Sequence, residues 1–141
     1  MARILALDVG KKRIGLAMSD ELRIIAQGLP TFKRTTIRDD MYRMAAVIAE
    51  RDVGLLLIGH PLHMSGHDSR QAVYVREFGD RLSEETGIPC EYWDERLTSI
   101  EANRVLKESG ISIEKRARAV DKLAAMILLE SYLERLSLCG G

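Results

Sequence analysis

Two uninterrupted apolar runs, Ile4-Leu5-Ala6-Leu7 and Val53-Gly54-Leu55-Leu56-Leu57-Ile58, constrain the fold of this chain more than any other feature. Both have the length of a strand and neither has a polar face, which is the pattern of a strand covered on both sides. The sheet that contains them therefore needs helices above and below. The first strand, residues 3–8, leads through a turn at residues 10–12 into a second strand at 14–19, and so short a connection makes the pair a hairpin. Residues 22–33 read as a third strand, in which Gly28-Leu29-Pro30 forces a bend or an edge position.

The hydrophobic period then changes. Ile37, Met41, Met44, Ala45 and Ile48 share one helical face ahead of the second apolar run, which ends at Gly59-His60-Pro61. Residues 69–86 form a second helix with Val75, Phe78 and Leu82 inward, stopped by Gly87-Ile88-Pro89, and residues 90–93 return as a strand. Thr98 and Glu101 have the spacing of a capping box, which predicts a helix from there to Gly110. The last helix, about residues 118–138, places Asp121, Ala124, Ala125, Leu128 and Tyr132 on one face, with Asp121 in its first turns, where the helix dipole favours a negative charge. This order describes an α/β fold: a mixed five-stranded sheet, three antiparallel strands first and then two parallel ones, with helices on both faces.

A chain of 141 residues, 46% hydrophobic, buries about two-thirds of its unfolded surface in one core and is too short for two ordinary domains, so a single domain over 1–141 is expected. Net charge is zero, yet residues 1–34 hold seven Lys and Arg against three Asp and Glu, and the remainder fourteen against eighteen. A local basic face of this kind suits an anionic substrate. Cys90 and Cys139 are too few for a disulfide framework and lack C-x-x-C spacing. Arg3 and an apolar run broken at Asp8 do not make a signal peptide or a membrane span, so a soluble cytoplasmic protein is expected.

Asp8 closes the first apolar run and precedes the basic turn Val9-Gly10-Lys11-Lys12-Arg13. A carboxylate where a buried strand meets a cationic loop suits metal or phosphate chemistry. If the first, fourth and fifth strands are parallel neighbours, Asp8 and Glu95 emerge together at their carboxyl ends, where open α/β sheets place ligands. Asp121 joins them if the last helix packs across that edge. Each acid also has a plainer use: a hairpin turn at Asp8-Val9-Gly10, an ion pair between Glu95 and Arg96, a helix-dipole contact at Asp121. Together they offer hard oxygen ligands of the kind Mg²⁺ or Mn²⁺ takes.

Four segments in order carry a family resemblance. Asp8-Val9-Gly10-Lys11-Lys12-Arg13-Ile14-Gly15-Leu16-Ala17-Met18-Ser19-Asp20 resembles the opening signature of the YqgF family, Holliday-junction-resolvase-type and ribosomal RNA precursor nucleases of ribonuclease-H-like fold. Ile58-Gly59-His60-Pro61-Leu62, Asp94-Glu95-Arg96-Leu97-Thr98 and Asp121-Lys122-Leu123-Ala124-Ala125-Met126-Ile127-Leu128 extend the resemblance over essentially the whole chain. It departs at His60, where the family has Leu, and at His63, where Asn is customary.

The resemblance implies that Asp8, Glu95 and Asp121 are the catalytic acids and bind a pair of Mg²⁺ or Mn²⁺ ions; in such sites ions about 3.5–4 Å apart activate water and stabilise the leaving oxygen. Lys11, Lys12 and Arg13 flank that site and Arg96 adjoins Glu95, so each is a candidate phosphate ligand, a contact that positions a backbone without reading sequence. Asp20 competes as an internal partner for Arg13. Lys115, Arg116 and Arg118 either extend the basic track or form a solvated helix entry. A zinc site of His60, His63 and His67 is disfavoured by Pro61, Gly66 and the lack of a nearby Cys; loop histidines that face solvent or phosphate are the better reading. Tyr92-Trp93 reads as core before it reads as a base-stacking platform.

The implied activity is a divalent-metal-dependent endonuclease hydrolysing phosphodiester bonds, either in 5′-end maturation of pre-16S ribosomal RNA or on four-way DNA junctions. The partner is thus structured RNA or branched DNA. A junction resolvase should be a two-fold dimer; no dimer signature is evident, which favours the RNA role and leaves monomer and homodimer open. Two other classes compete. D-x-G before a hairpin also opens the phosphate loop of actin-like ATPases and sugar kinases, which clasp nucleotide between two domains where this chain has room for one. A non-catalytic nucleic-acid-binding module is disfavoured, because clustered carboxylates repel phosphates unless metal intervenes.

Overall fold

The computed structural model describes residues 2–60, 70–94 and 113–138, with backbone alone for Asp94 and residues 113–121. Its elements are β1 (Arg3–Val9), β2 (Arg13–Ser19), β3 (Ala26–Lys33), α1 (Ile37–Glu50), β4 (Val53–His60), α2 (Arg70–Thr86), β5 (Cys90–Asp94) and α3 (Ile113–Leu138). The five strands form one sheet in the order β3-β2-β1-β4-β5. β1 pairs antiparallel with β2, and β2 with β3, whereas β4 runs parallel to β1, and β5 to β4. The expected mixed sheet is therefore the observed one.

Strand alternation sorts the apolar residues into two layers. Leu5, Leu7, Leu16, Leu56 and Ile58 pack beneath α1 and α2 with Met41, Met44, Val75, Phe78 and Leu82. On the opposite face Ile4, Ala6, Ala17 and Leu57 pack beneath α3 with Ala125, Leu128 and Leu129. The double cover explains why the runs in β1 and β4 lack a polar alternate. α1 starts where Thr36 accepts the Asp39 N–H at 3.2 Å, and Asp39 and Asp40 in its first turn suit the helix dipole.

Three boundaries differ from the sequence expectation by two residues or more. β3 begins at Ala26 rather than residue 22, because the Asp20 carboxylate accepts the N–H groups of Ile24 (2.7 Å) and Ile25 (3.0 Å) and holds that stretch as a turn. The same two bonds keep the Asp20 carboxyl below the usual range. Pro30 sits, as anticipated, on an edge strand, beside an irregularity where the β2 register shifts between Ile14 and Leu16. β4 continues to His60, which pairs with Asp94 of β5. α3 begins at Ile113, five residues before the expected start, since residues 114–118 contain nothing that breaks a helix. The helix expected between Thr98 and Gly110 lies outside the described residues.

Two contacts in this frame make measurable predictions. A Cβ on Gly79 of α2 would stand 2.5 Å from Ile58 Cδ1 and 2.5 Å from the Tyr92 hydroxyl. Gly79→Ala should therefore destabilise the protein by about 1–3 kcal/mol through overpacking, although alanine is the better helix former. Urea melts would check this, and unchanged stability would mean that Ile58 and Tyr92 repack freely. Tyr132 of α3 is buried edge-on against Trp93 at 5.2 Å and donates to Glu91 at 2.7 Å. Burial first, then the hydrogen bond and charge of Glu91, push its pKa from 10 up to about 12. A raised folded-state pKa contributes stability that is full below pH 10 and fades as pH climbs to about 12. Tyr132→Phe should flatten that alkaline loss in melts at pH 9 and pH 11; an identical alkaline slope would contradict the assignment.

Candidate active site

Asp8 stands one residue before the end of β1, half-buried. Alternation puts it on the α3 face with Ile4 and Ala6, and its cross-strand partner Gly15 adds no side chain beside the carboxylate. In register, Leu7 lies level with Ile58, and Ile58 level with Tyr92, so Asp8 reaches the carboxyl edge shared by the three parallel strands. The end of β5 is two strand spacings away, roughly 9–10 Å. Glu95 and Arg96 follow β5 directly in the chain and lie outside the described residues. Position 121 falls within α3, one turn before Ala125, which packs in the layer containing Ala6 and Ala17. With α3 starting at Ile113, Asp121 is in the third turn, too far from the helix start for the dipole contact expected of it. Thus β1 and β5 share one edge, α3 covers the face on which Asp8 lies, and Asp8 is the acid of the three whose side chain is described. Among the described residues no three His, Cys, Asp or Glu side chains gather in a metal-binding group.

The basic turn after Asp8 is held from several directions. Its own closing bond runs from the Gly10 N–H to the Arg13 carbonyl at 2.9 Å, and a Cβ on Gly10 would meet that carbonyl at 2.7 Å, so glycine is required there. Gln71 of α2 donates to the Val9 carbonyl at 3.2 Å. Arg34, just after β3, donates from Nη1 to the Gly10 carbonyl at 3.0 Å and from its backbone N–H to the Lys12 carbonyl at 2.9 Å. Lys11 and Lys12 are exposed, and Arg13 is half-buried at the start of β2. Asp20 is no partner for Arg13, because it follows the opposite end of β2, about 20 Å away by strand rise.

Behind the turn lies a buried ion pair that sequence reasoning missed. Arg34 Nε meets Asp40 Oδ2 at 2.9 Å, with side-chain exposures of 7% and 0%. Asp40 also accepts the Thr35 N–H at 2.9 Å and Arg43 Nη2 at 3.1 Å. The Arg34 guanidinium lies over the Tyr74 and Phe78 rings, 5.1 and 4.9 Å from their centroids, and bonds the Tyr74 hydroxyl. One signal was available: Asp40 lies about one helical turn before the core residue Met44, on the inward stripe of α1, where an acid needs a partner.

The histidine reading is corrected at His60, which is neither a loop residue nor exposed. It ends β4, is 5% exposed, faces Tyr92 edge-on at 5.6 Å, and stands 3.3 Å from Arg76 Nη2. Pairing with β5 carries the strand two residues past the apolar run and draws the ring under α2. His63 and His67 lie outside the described residues. Tyr92 and Trp93 are core-edge residues, as expected: the Tyr92 hydroxyl donates to the Arg76 carbonyl at 2.8 Å or to Asp80 at 2.6 Å, and Trp93 Nε1 donates to Ser131 at 3.3 Å.

The sheet order and its two helical layers are those of a ribonuclease-H-like protein. The fowlpox virus Holliday junction resolvase superposes with a TM-score of 0.61 at 14% identity, over 95% of this chain and 98% of that one. Thermus thermophilus RuvC, solved with a Holliday junction substrate, gives 0.54 at 15% identity over 96% of each chain. A family model described as RuvX, Holliday junction resolvase, matches residues 2–135. A relative from Koribacter versatilis named "Putative pre-16S rRNA nuclease" is 50% identical over 133 residues, 94% of this chain and 87% of its own length. The chain belongs to the RuvX family, the family also known as YqgF.

Proposed function

We propose that this protein is a divalent-metal-dependent endonuclease that hydrolyses phosphodiester bonds in 5′-end maturation of pre-16S ribosomal RNA, in the cytoplasm. The observation that carries the reading is the pairing of Asp8, a half-buried carboxylate at the carboxyl edge of the parallel strands, with a turn that is pinned at three carbonyls and exposes Lys11 and Lys12 beside it. Membership of a nuclease family and the name of the Koribacter relative support it. Among the described residues no helix is long and apolar enough to cross a membrane.

Carboxylates are the hard donors that Mg²⁺ or Mn²⁺ prefers, so the donor set Asp8, Glu95 and Asp121 fits such ions. When bound, the ions supply Lewis-acid polarisation of the scissile phosphate and acidify water. The chain's own residues do the rest. Asp8, fixed in β1, orients the site relative to the sheet edge. Lys11, Lys12, Arg13 and Arg96 hold phosphate oxygens, and the sum keeps a polyanion beside three acids that would otherwise repel it.

A second reading, cleavage of four-way DNA junctions, is favoured by the family's description and by the fold shared with RuvC and the fowlpox enzyme. The test is to incubate the protein with labelled pre-16S leader RNA and with a labelled four-way junction, each with Mn²⁺ and with EDTA. Metal-dependent cutting of the leader is expected. Cutting of the junction alone, together with a two-fold dimer by light scattering, would transfer the assignment to the resolvase reading. Metal-independent binding with no product from either substrate would leave a non-catalytic binding module.

A further inference from the structure

We propose that Arg34 is a positioning residue for nucleic acid, acting through the backbone of the turn that carries Lys11, Lys12 and Arg13; this rests on the nucleic-acid reading above. Three facts converge on residue 34. Its guanidinium is nearly buried and reaches the Gly10 carbonyl, its backbone N–H reaches the Lys12 carbonyl, and Asp40, wholly buried, takes its Nε. One residue therefore grips the turn at both ends, and Asp40 fixes that residue to α1.

The grip comes from the α1 and α2 side of the sheet, whereas alternation places Asp8 on the α3 side. The carbonyls of the turn are drawn toward one face while two lysines remain exposed to solvent. A free turn would let the cations sample many positions and lose entropy on binding; a held turn presents them already placed. An ammonium could not substitute for the guanidinium, because only the planar fork spans Asp40 on one edge and Gly10 on another.

The experiment compares the native chain, Arg34→Lys, Lys11→Ala with Lys12→Ala, and the combination of all three changes. Arg34→Lys keeps a positive charge against Asp40, so the chain stays folded while the Gly10 contact is lost. Binding of labelled pre-16S leader RNA and of a four-way junction is measured by anisotropy, and exchange of the turn amides by NMR. Arg34→Lys is expected to weaken binding up to about tenfold, the scale of one net hydrogen bond, and to speed exchange at Gly10. In the background lacking both lysines the same change should cost little further affinity, because its effect passes through them. Equal losses in both backgrounds would overturn the proposal, as would native affinity in a folded Arg34→Lys protein. Failure of the native chain to bind either nucleic acid would instead remove the functional reading on which the proposal rests, and the two failures are told apart by that native measurement.

Discussion

Asp8→Asn is expected to lower metal-dependent cleavage at least about a hundredfold, the scale of loss when a group acting on developing charge is removed, while the melting temperature stays within a few degrees of the native value. The substitution is isosteric, exchanging a charged acceptor oxygen for an NH₂ group, at a residue that is half-buried at a strand end and not enclosed in the core. β1 itself is held by ten pairings of register with β2 and β4 and by the layers on each face, none of which uses the carboxylate charge. Activity at the native level in a folded Asp8→Asn protein would remove the proposed mechanism. Loss of activity with loss of the near-UV signal would show that Asp8 serves the fold. Binding gives a further check: with a carboxylate charge gone, affinity for the RNA in EDTA should be equal or higher, since the acid repels phosphate when no metal screens it.

How far the fold could be read from the chain depended on whether local pattern and tertiary role agreed. β1 and β4 were plain because an unbroken apolar run has few other uses at that length, and the short link at Gly10 made the hairpin with β2 unavoidable. α2 was plain because Val75, Phe78 and Leu82 keep helical spacing and all three are buried. Where a side chain made the decision, periodicity failed. Leu22, Ile24 and Ile25 look like strand residues, yet they are exposed because the Asp20 carboxylate captures the backbone beside them. His60 looked like a loop residue because Pro61 follows it, and only pairing with Asp94 shows that the strand carries on. For the site, Asp8 and the basic turn were legible from a polar residue interrupting an apolar run. The Arg34 to Asp40 pair was passed over because two charges near a helix start have a ready use in the dipole, and that use hid the one sign of burial, the place of Asp40 on the stripe of Met41 and Met44.

Asp40→Ala is the change expected to cost the most stability, about 3–5 kcal/mol, because removing one partner leaves the other charge buried and unpaired. At roughly 2–4 °C per kcal/mol for a chain of this size the melting temperature should fall by about 6–20 °C. The argument is one of location: Asp40 is fully buried, accepts from Arg34, Thr35 and Arg43, and Arg34 is itself nearly enclosed between the Tyr74 and Phe78 rings. The Arg43 side chain, 37% exposed, and the N–H of exposed Thr35 can turn to water, whereas the Arg34 side chain, 7% exposed, cannot. Joint replacement, Arg34→Met with Asp40→Leu, should therefore recover a large part of the loss, since an apolar pair of similar volume removes the stranded charge. It would not recover a donor for the Gly10 carbonyl. A double variant that melts near the native temperature yet binds RNA no better than Arg34→Lys would separate the two roles of the pair, core stability and the placing of the turn. A double variant that regains both stability and affinity would mean that the turn needs only a filled core behind it.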